Sequence, residues 1–162
     1  MFVFVDIMKT FGSVPHKTLL NLIQQLGTSK NVLRSIRQIQ EELKGTIQFT
    51  TQLFTSKQGV RQGSIEGPIL FNVLLQKVLK EVFPHGDNNG VPLTTLHSKE
   101  QWTLQHLEHA NDLVLAADSP KTAQDLLTRL RTTLQKYNMK FAPIKTPWMH
   151  IGGGEVPETL TV

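Results

Sequence analysis

Apolar residues recur along the chain in two rhythms. Phe2-Val3-Phe4-Val5 is a short, continuous apolar run that ends at a carboxylate, Asp6, and reads as a buried central strand. After a loop over Lys9-Thr10-Phe11-Gly12-Ser13, Pro15 suits a first helical turn. Leu19, Leu20, Leu22, Ile23 and Leu26 then form a stripe that Gly27 closes. A second helix opens at Ser29, with Val32, Ile36, Ile39 and Leu43 at helical spacing and Gly45 as its stop. From Thr46 to Thr55 the β-branched and aromatic content rises, which predicts one or two strands.

The polar loop Gln58 to Ser64 leads to Pro68, where a third and broadly apolar helix starts and runs to Val82. Pro84 to Gly90 reads as a loop. Between Trp102 and Ala117 an Asn111-Asp112 pair separates two apolar-rich runs. That predicts a tight β-hairpin with Asp112 at or beside its tip. Ser119-Pro120 caps a fourth helix carried by Ala123, Leu126, Leu127, Leu130 and Leu134. Lys140 to Ile151 holds one or two extended segments, and residues 152–162, opened by three glycines, read as a flexible tail. The order is β, α, α, β, α, β-hairpin, α, β. It predicts an α+β fold, a sheet with about four helices on one face.

Composition narrows this picture. At 162 residues the chain suits one domain, and no apolar run approaches the roughly 20 residues of a membrane span. The N-terminus lacks a basic region and its apolar run breaks at Asp6, so no signal peptide is expected. With no cysteine, disulfides and thiolate zinc sites are excluded, and a reducing, intracellular compartment fits, nuclear or cytoplasmic. The net charge of +4 sits in the first third, where residues 1–60 hold seven Lys/Arg against three Asp/Glu. Such a segment suits a polyanionic partner or is simply a solvated basic surface.

Four segments, in order, resemble the palm of a reverse transcriptase of the non-LTR (LINE-type) retrotransposon kind. Phe4-Val5-Asp6 through Lys9-Thr10-Phe11-Gly12-Ser13-Val14-Pro15-His16 is similar to the first palm motif. Gly59-Val60-Arg61-Gln62-Gly63 through Pro68-Ile69-Leu70-Phe71-Asn72 is similar to the second and is the most specific. His109-Ala110-Asn111-Asp112-Leu113-Val114-Leu115 lies where the family has its Ala-Asp-Asp hairpin, and Ile144-Lys145-Thr146 with Met149 resembles the lysine motif. The likeness runs from about residue 2 to about residue 151 and implies that residues 1–151 are a palm-like domain built on an antiparallel sheet.

The resemblance implies two-metal nucleotidyl transfer on an RNA template and DNA primer. Asp6 and Asp112 would be catalytic ligands of Mg²⁺. Phe11, Arg61, Gln62, Gly63 and Lys145 would contact the incoming nucleotide. Asn111, however, stands where the family has the first hairpin aspartate. An amide offers a carbonyl oxygen but no charge, so metal binding and phosphoryl-transfer electrostatics should weaken. His109, Gly12 and Ala142 also replace a usual aromatic, aspartate and asparagine. Fingers and thumb are not expected within this length, which predicts little or no polymerase activity from the isolated chain. The alternative is a domesticated module that binds nucleic acid or protein without catalysis.

Each residue also has a plainer reading. Asp6 can be a strand-end carboxylate making local hydrogen bonds, and Asn-Asp is a common turn pair. His106 and His109, with Glu108 beside them, share neither face nor spacing with a third ligand and read as structural or surface residues.

Overall fold

The structure, a computed structural model, describes residues 1–8, 12, 15–41, 44–46, 53–55, 59, 64–85, 87, 89–94, 100–142, 146–153 and 160. In chain order its elements are β1 (Phe2–Met8), α1 (His16–Gln25), α2 (Lys30–Glu41), β2 (Lys44–Thr46), β3 (Leu53–Thr55), α3 (Glu66–Val82), β4 (Val91–Thr94), β5 (Gln101–Leu104), β6 (His106–His109), β7 (Asp112–Ala116), α4 (Pro120–Lys136), β8 (Lys140–Phe141) and β9 (Trp148–Met149). The class is α+β, with four helices among the described residues and every strand pair antiparallel. Two compact units divide the chain. One comprises Met1–Met8, Val78–Lys136 and Lys140–Val162, and the other Lys9–Lys77 with Tyr137–Met139.

The first unit is built around β1. Its strand order is β6-β7-β1-β8, with β9 also paired to β1. On one edge β7 runs beside β1 from Phe2↔Ala116 to Asp6↔Asp112. The other edge is shared, with β9 opposite Phe2 and Val3 and β8 opposite Ile7 and Met8. The strand buries alternate residues rather than its whole apolar run. Val3, Val5 and Ile7 are 0, 2 and 1% exposed, while Phe4 is 38% exposed. An antiparallel sheet needs cover on only one face, so the continuous pattern of Phe2 to Val5 overstated the burial of this strand.

α4 packs on β7 and β8 through the stripe that includes Leu126, Leu127, Leu130 and Leu134, all 1% exposed or less. Each such side chain contributes about 1.5–3 kcal/mol relative to exposure. Its start is capped as expected, the Thr122 N–H donating to Ser119 Oγ at 3.2 Å. Arg129 ties α4 to the end of α3, donating to the Val82 carbonyl at 3.1 Å and to Asp87 Oδ2 at 2.7 Å. β4 and β5 form a separate ladder, and β4 was hidden in the sequence by Pro92, which a two-stranded edge tolerates. Gly90 precedes it because a Cβ there would stand 2.5 Å from the Leu104 carbonyl oxygen.

In the second unit α1 buries Leu19, Leu22 and Ile23 and contacts α2. Gly27 (φ 80°) ends α1, its N–H bonding to Gln24 O and that of Thr28 to Ile23 O, the two bonds of a Schellman motif. α2 stops at Glu41, short of the expected Gly45, because Gly45 is paired with Phe54 in the β2–β3 ladder. α3 begins at Glu66, ahead of the expected Pro68, with the Gly67 N–H donating to Ser64 Oγ at 3.2 Å. Pro68 lies in the first turn, where its missing N–H leaves no helical bond unmade.

Candidate active site

The site is assembled by one register. Because the Ile7 N–H donates to the Asn111 carbonyl (3.1 Å), 7↔111 is a hydrogen-bonded pair. The next pair, Asp6↔Asp112, is therefore of the non-hydrogen-bonded class, in which Cα atoms lie about 4.5 Å apart and side chains project from the same face. Asp6 is half-buried and Asp112 exposed. The backbone around Asp6 is held on both sides, by Ile7 to Asn111 on one edge and by the Ala142 N–H to the Asp6 carbonyl (3.0 Å) on the other.

β6 and β7 meet in a two-residue turn, Ala110-Asn111, between the paired residues His109 and Asp112. The turn centre is thus one residue earlier than the Asn-Asp pair suggests, and Asp112 is the first residue of β7. Ala110 has φ 54° and Asn111 no positive φ, so the backbone conformation that favours glycine falls on the first central residue of the turn. A non-glycine residue there costs about 1–2 kcal/mol. Asn111 is half-buried, and its Nδ2 donates to Asp6 Oδ1 at 3.2 Å. The amide therefore occupies one oxygen of its neighbour and adds no charge.

The face that carries the two carboxylates is open. Phe4, paired with Val114, is 38% exposed, and Leu107, paired with the same valine, is 54% exposed. His109 lies exposed on this face opposite Asp112, whereas His106 pairs with Leu115 on the covered face. His106 stacks on Phe83 with ring centroids 4.4 Å apart and planes at 15°. Burial lowers its pKa below the ordinary 6.5, against the opposing pull of Glu108, and its Nδ1 is buried without a hydrogen-bond partner. Among the described residues no group of three or more His, Cys, Asp or Glu stands together as a metal site.

Phe11, Arg61, Gln62, Gly63 and Lys145 lie outside the described residues. A contact that the motif reading missed is visible nearby in sequence. His16, at the end of the first motif, donates through Nε2 to the carbonyl of Gly59, the first residue of the second motif, at 2.6 Å. Gly59 is buried with φ 97°, a conformation that favours glycine. The signal was present in the motif strings, which contain both residues, but a spacing of 43 residues carries no information about contact.

An antiparallel sheet with one carboxylate on its central strand and another at a hairpin turn is the framework of a nucleotidyl-polymerase palm. The family described as reverse transcriptase (RNA-dependent DNA polymerase) matches residues 1–160, and the chain belongs to that family. It is similar to the retrovirus-related Pol polyprotein from type-1 retrotransposable element R2 of Nasonia vitripennis, at 26% identity over 144 residues, 87% of this chain and 13% of that protein. In fold it is similar to a telomerase from Candida tropicalis (TM-score 0.67, 17% identity, 96% of this chain and 31% of that one). It is also similar to a telomerase from Candida albicans solved with the TWJ fragment of telomeric RNA (TM-score 0.69, 13% identity, 95% and 27%). The chain thus spans less than a third of each relative. No described helix is long and apolar enough to cross a membrane.

Proposed function

We propose that this chain is the palm of a non-LTR-type reverse transcriptase, that Asp6 and Asp112 are its divalent-metal ligands, and that Asn111 leaves it with little or no polymerase activity as an isolated chain. The observation that carries the reading is the Asp6↔Asp112 pair with the Asn111 amide donating to Asp6. Two carboxylates directly opposite across two strands offer a donor pair to a divalent cation on the open face. Members of this family use a divalent metal. Mg²⁺ is commonly held by one or two carboxylates, with water and substrate phosphates completing its shell, so this donor set fits one ion better than two.

A bound divalent ion would neutralise charge on a transferring phosphate and lower the pKa of an attacking hydroxyl. Asp6 contributes a carboxylate on backbone fixed from both edges, and Asp112 contributes a second from the strand beside it. Asn111 holds Asp6 in place but withholds the third negative charge. Phe11, Arg61, Gln62, Gly63 and Lys145 are assigned to the nucleotide, with an RNA template and DNA primer as partners, and residues 1–151 form the palm.

Primer extension on a homopolymeric RNA template with Mg²⁺ or Mn²⁺ tests this, beside Mn²⁺ binding followed by electron paramagnetic resonance. Little or no extension is expected from the unaltered chain. Asn111→Asp should tighten Mn²⁺ binding at least about tenfold, equivalent to about 1.4 kcal/mol. Robust synthesis abolished by Asp6→Ala would overturn the inactivity, and Mn²⁺ binding indifferent to both Asp6→Asn and Asp112→Asn would overturn the metal assignment.

A further inference from the structure

α2 lies almost entirely on the surface. From Lys30 to Ile39 every residue is exposed except Leu33 and Ile36, which are half-buried, and Gln40 is buried at its end. The helix rests on the line of Leu33, Ile36 and Gln40. Lys30, Arg34 and Arg37, at spacings of four and three, form a single row along another side. All three are exposed, and none forms an ion pair with a described residue. No acid occurs before Glu41, the last residue of the helix. Exposed neutral hydrogen-bonding residues, Asn31, Ser35 and Gln38, flank the row.

A basic residue in the first turn opposes the helix dipole, as Lys30 does, so the row is not arranged to stabilise the helix. Three cations in line repel one another, and a polyanion relieves that repulsion. The rise from Lys30 to Arg37 is about 10 Å. Three side-chain cations spread along that length offer one backbone strand several phosphate contacts. One row of cations addresses one strand. Amide and hydroxyl side chains beside it are suited to phosphate and to the ribose 2′-hydroxyl, and no aromatic in α2 offers a stacking platform for bases.

We propose that Lys30, Arg34 and Arg37 on α2 form a sequence-independent docking row for the backbone of a single RNA strand, separate in its chemistry from the carboxylate site. The proposal deepens the polymerase reading and rests on its nucleic-acid partner. The row holds the strand by charge, so its contribution weakens as salt rises and does not depend on the divalent ion.

The test is a salt titration of binding to a fluorescently labelled 20-nucleotide RNA of mixed sequence, using the full chain. Neutralising the row in K30Q/R34Q/R37Q should lower the slope of log K against log salt by about 2 and weaken binding at least about tenfold near physiological salt. R34K/R37K, which keeps the charge, should retain most of the affinity. A control with the same charge loss from exposed positions of the other unit, K80Q/K121Q/R131Q, should change binding much less. The proposal fails if the row variant binds like the unaltered chain, if the control loses as much, or if the unaltered chain does not bind RNA. A row contribution equally large on DNA of the same sequence overturns the RNA assignment. Mn²⁺ binding at Asp6 and Asp112, measured on the same row variant, should be unchanged. Failure of the docking row therefore leaves the metal-site reading standing, and loss of Mn²⁺ dependence on the aspartates would fail that reading alone.

Discussion

The two faces of the β1–β7 pair are made from alternate residues of the same two strands, yet they serve different ends. On the covered face Val3, Val5, Ile7, Leu113 and Leu115 are 0–2% exposed. On the open face the same register lines up Phe2↔Ala116, still covered with Ala116 1% exposed, then Phe4↔Val114 and Asp6↔Asp112, where the face opens toward the hairpin. The covered face is packed from end to end, whereas the open face changes from apolar to charged toward the hairpin. One side holds the strands together so that the other can keep two carboxylates opposed. Stability and candidate chemistry therefore separate by residue parity, and substitutions can test that separation.

The largest effect should come from the covered face. Leu115→Ala should cost about 2–5 kcal/mol in urea unfolding, whereas Val114→Ala, one residue away on the open face, should cost well under half as much. Equal losses would remove the distinction. On the open face, Asp6→Asn and Asp112→Asn should each leave the unfolding midpoint nearly unchanged, because they relieve like-charge repulsion as they remove local contacts. Mn²⁺ affinity should meanwhile drop at least about tenfold, about 1.4 kcal/mol. A carboxylate whose loss destabilises the fold without touching metal affinity would be a structural residue instead.

The covered face should also make stability depend on pH. His106 has its pKa lowered in the folded chain, chiefly by burial, so below about pH 6.5 the unfolded chain takes up more protons and stability falls as pH falls. His106→Phe, which keeps a ring against Phe83, should flatten that limb in thermal melts between pH 7 and 5. Asp87 acts in a separate window. Burial tends to raise its pKa, but the Asn89 N–H and Arg129 outweigh that and lower it below 3.8. Its contribution is present above about pH 4 and is lost only under stronger acid. An unchanged limb in the His106 variant would place the titration elsewhere. The smallest effect belongs to the turn. Ala110→Gly should stabilise the chain by about 0.5 kcal/mol, the gain at positive φ less the entropy of glycine, and a destabilised variant would show that Ala110 is not strained.

The motif strings and the hydrophobic rhythm made much of this legible. Helix existence followed from the stripes of Leu19 to Ile23 and Ala123 to Leu134, because a periodic apolar face has few other ways to be buried, whereas Leu26 of the first stripe lies past the helix end and is exposed. Boundaries failed where a tertiary contact competed with a local signal. Gly45 looked like a helix stop but pairs with Phe54, and β4 was obscured by Pro92. The likeness of Asp6 and Asp112 to palm carboxylates was also readable, as was the substitution at Asn111. Their opposition across two strands was not. It depends on a pairing register between residues separated by about 100 positions, which no local pattern encodes.

The sequence by itself determined the family, the α+β class, the order of the motifs and the residue types available for chemistry. Tertiary structure alone decided which face of β1 is open, that the turn is centred on Ala110-Asn111, and that the Asn111 amide rests on Asp6. The reason is physical. Residue type and periodicity are local properties of the chain, whereas a site of two opposed carboxylates exists only once the strands are paired and one face is covered.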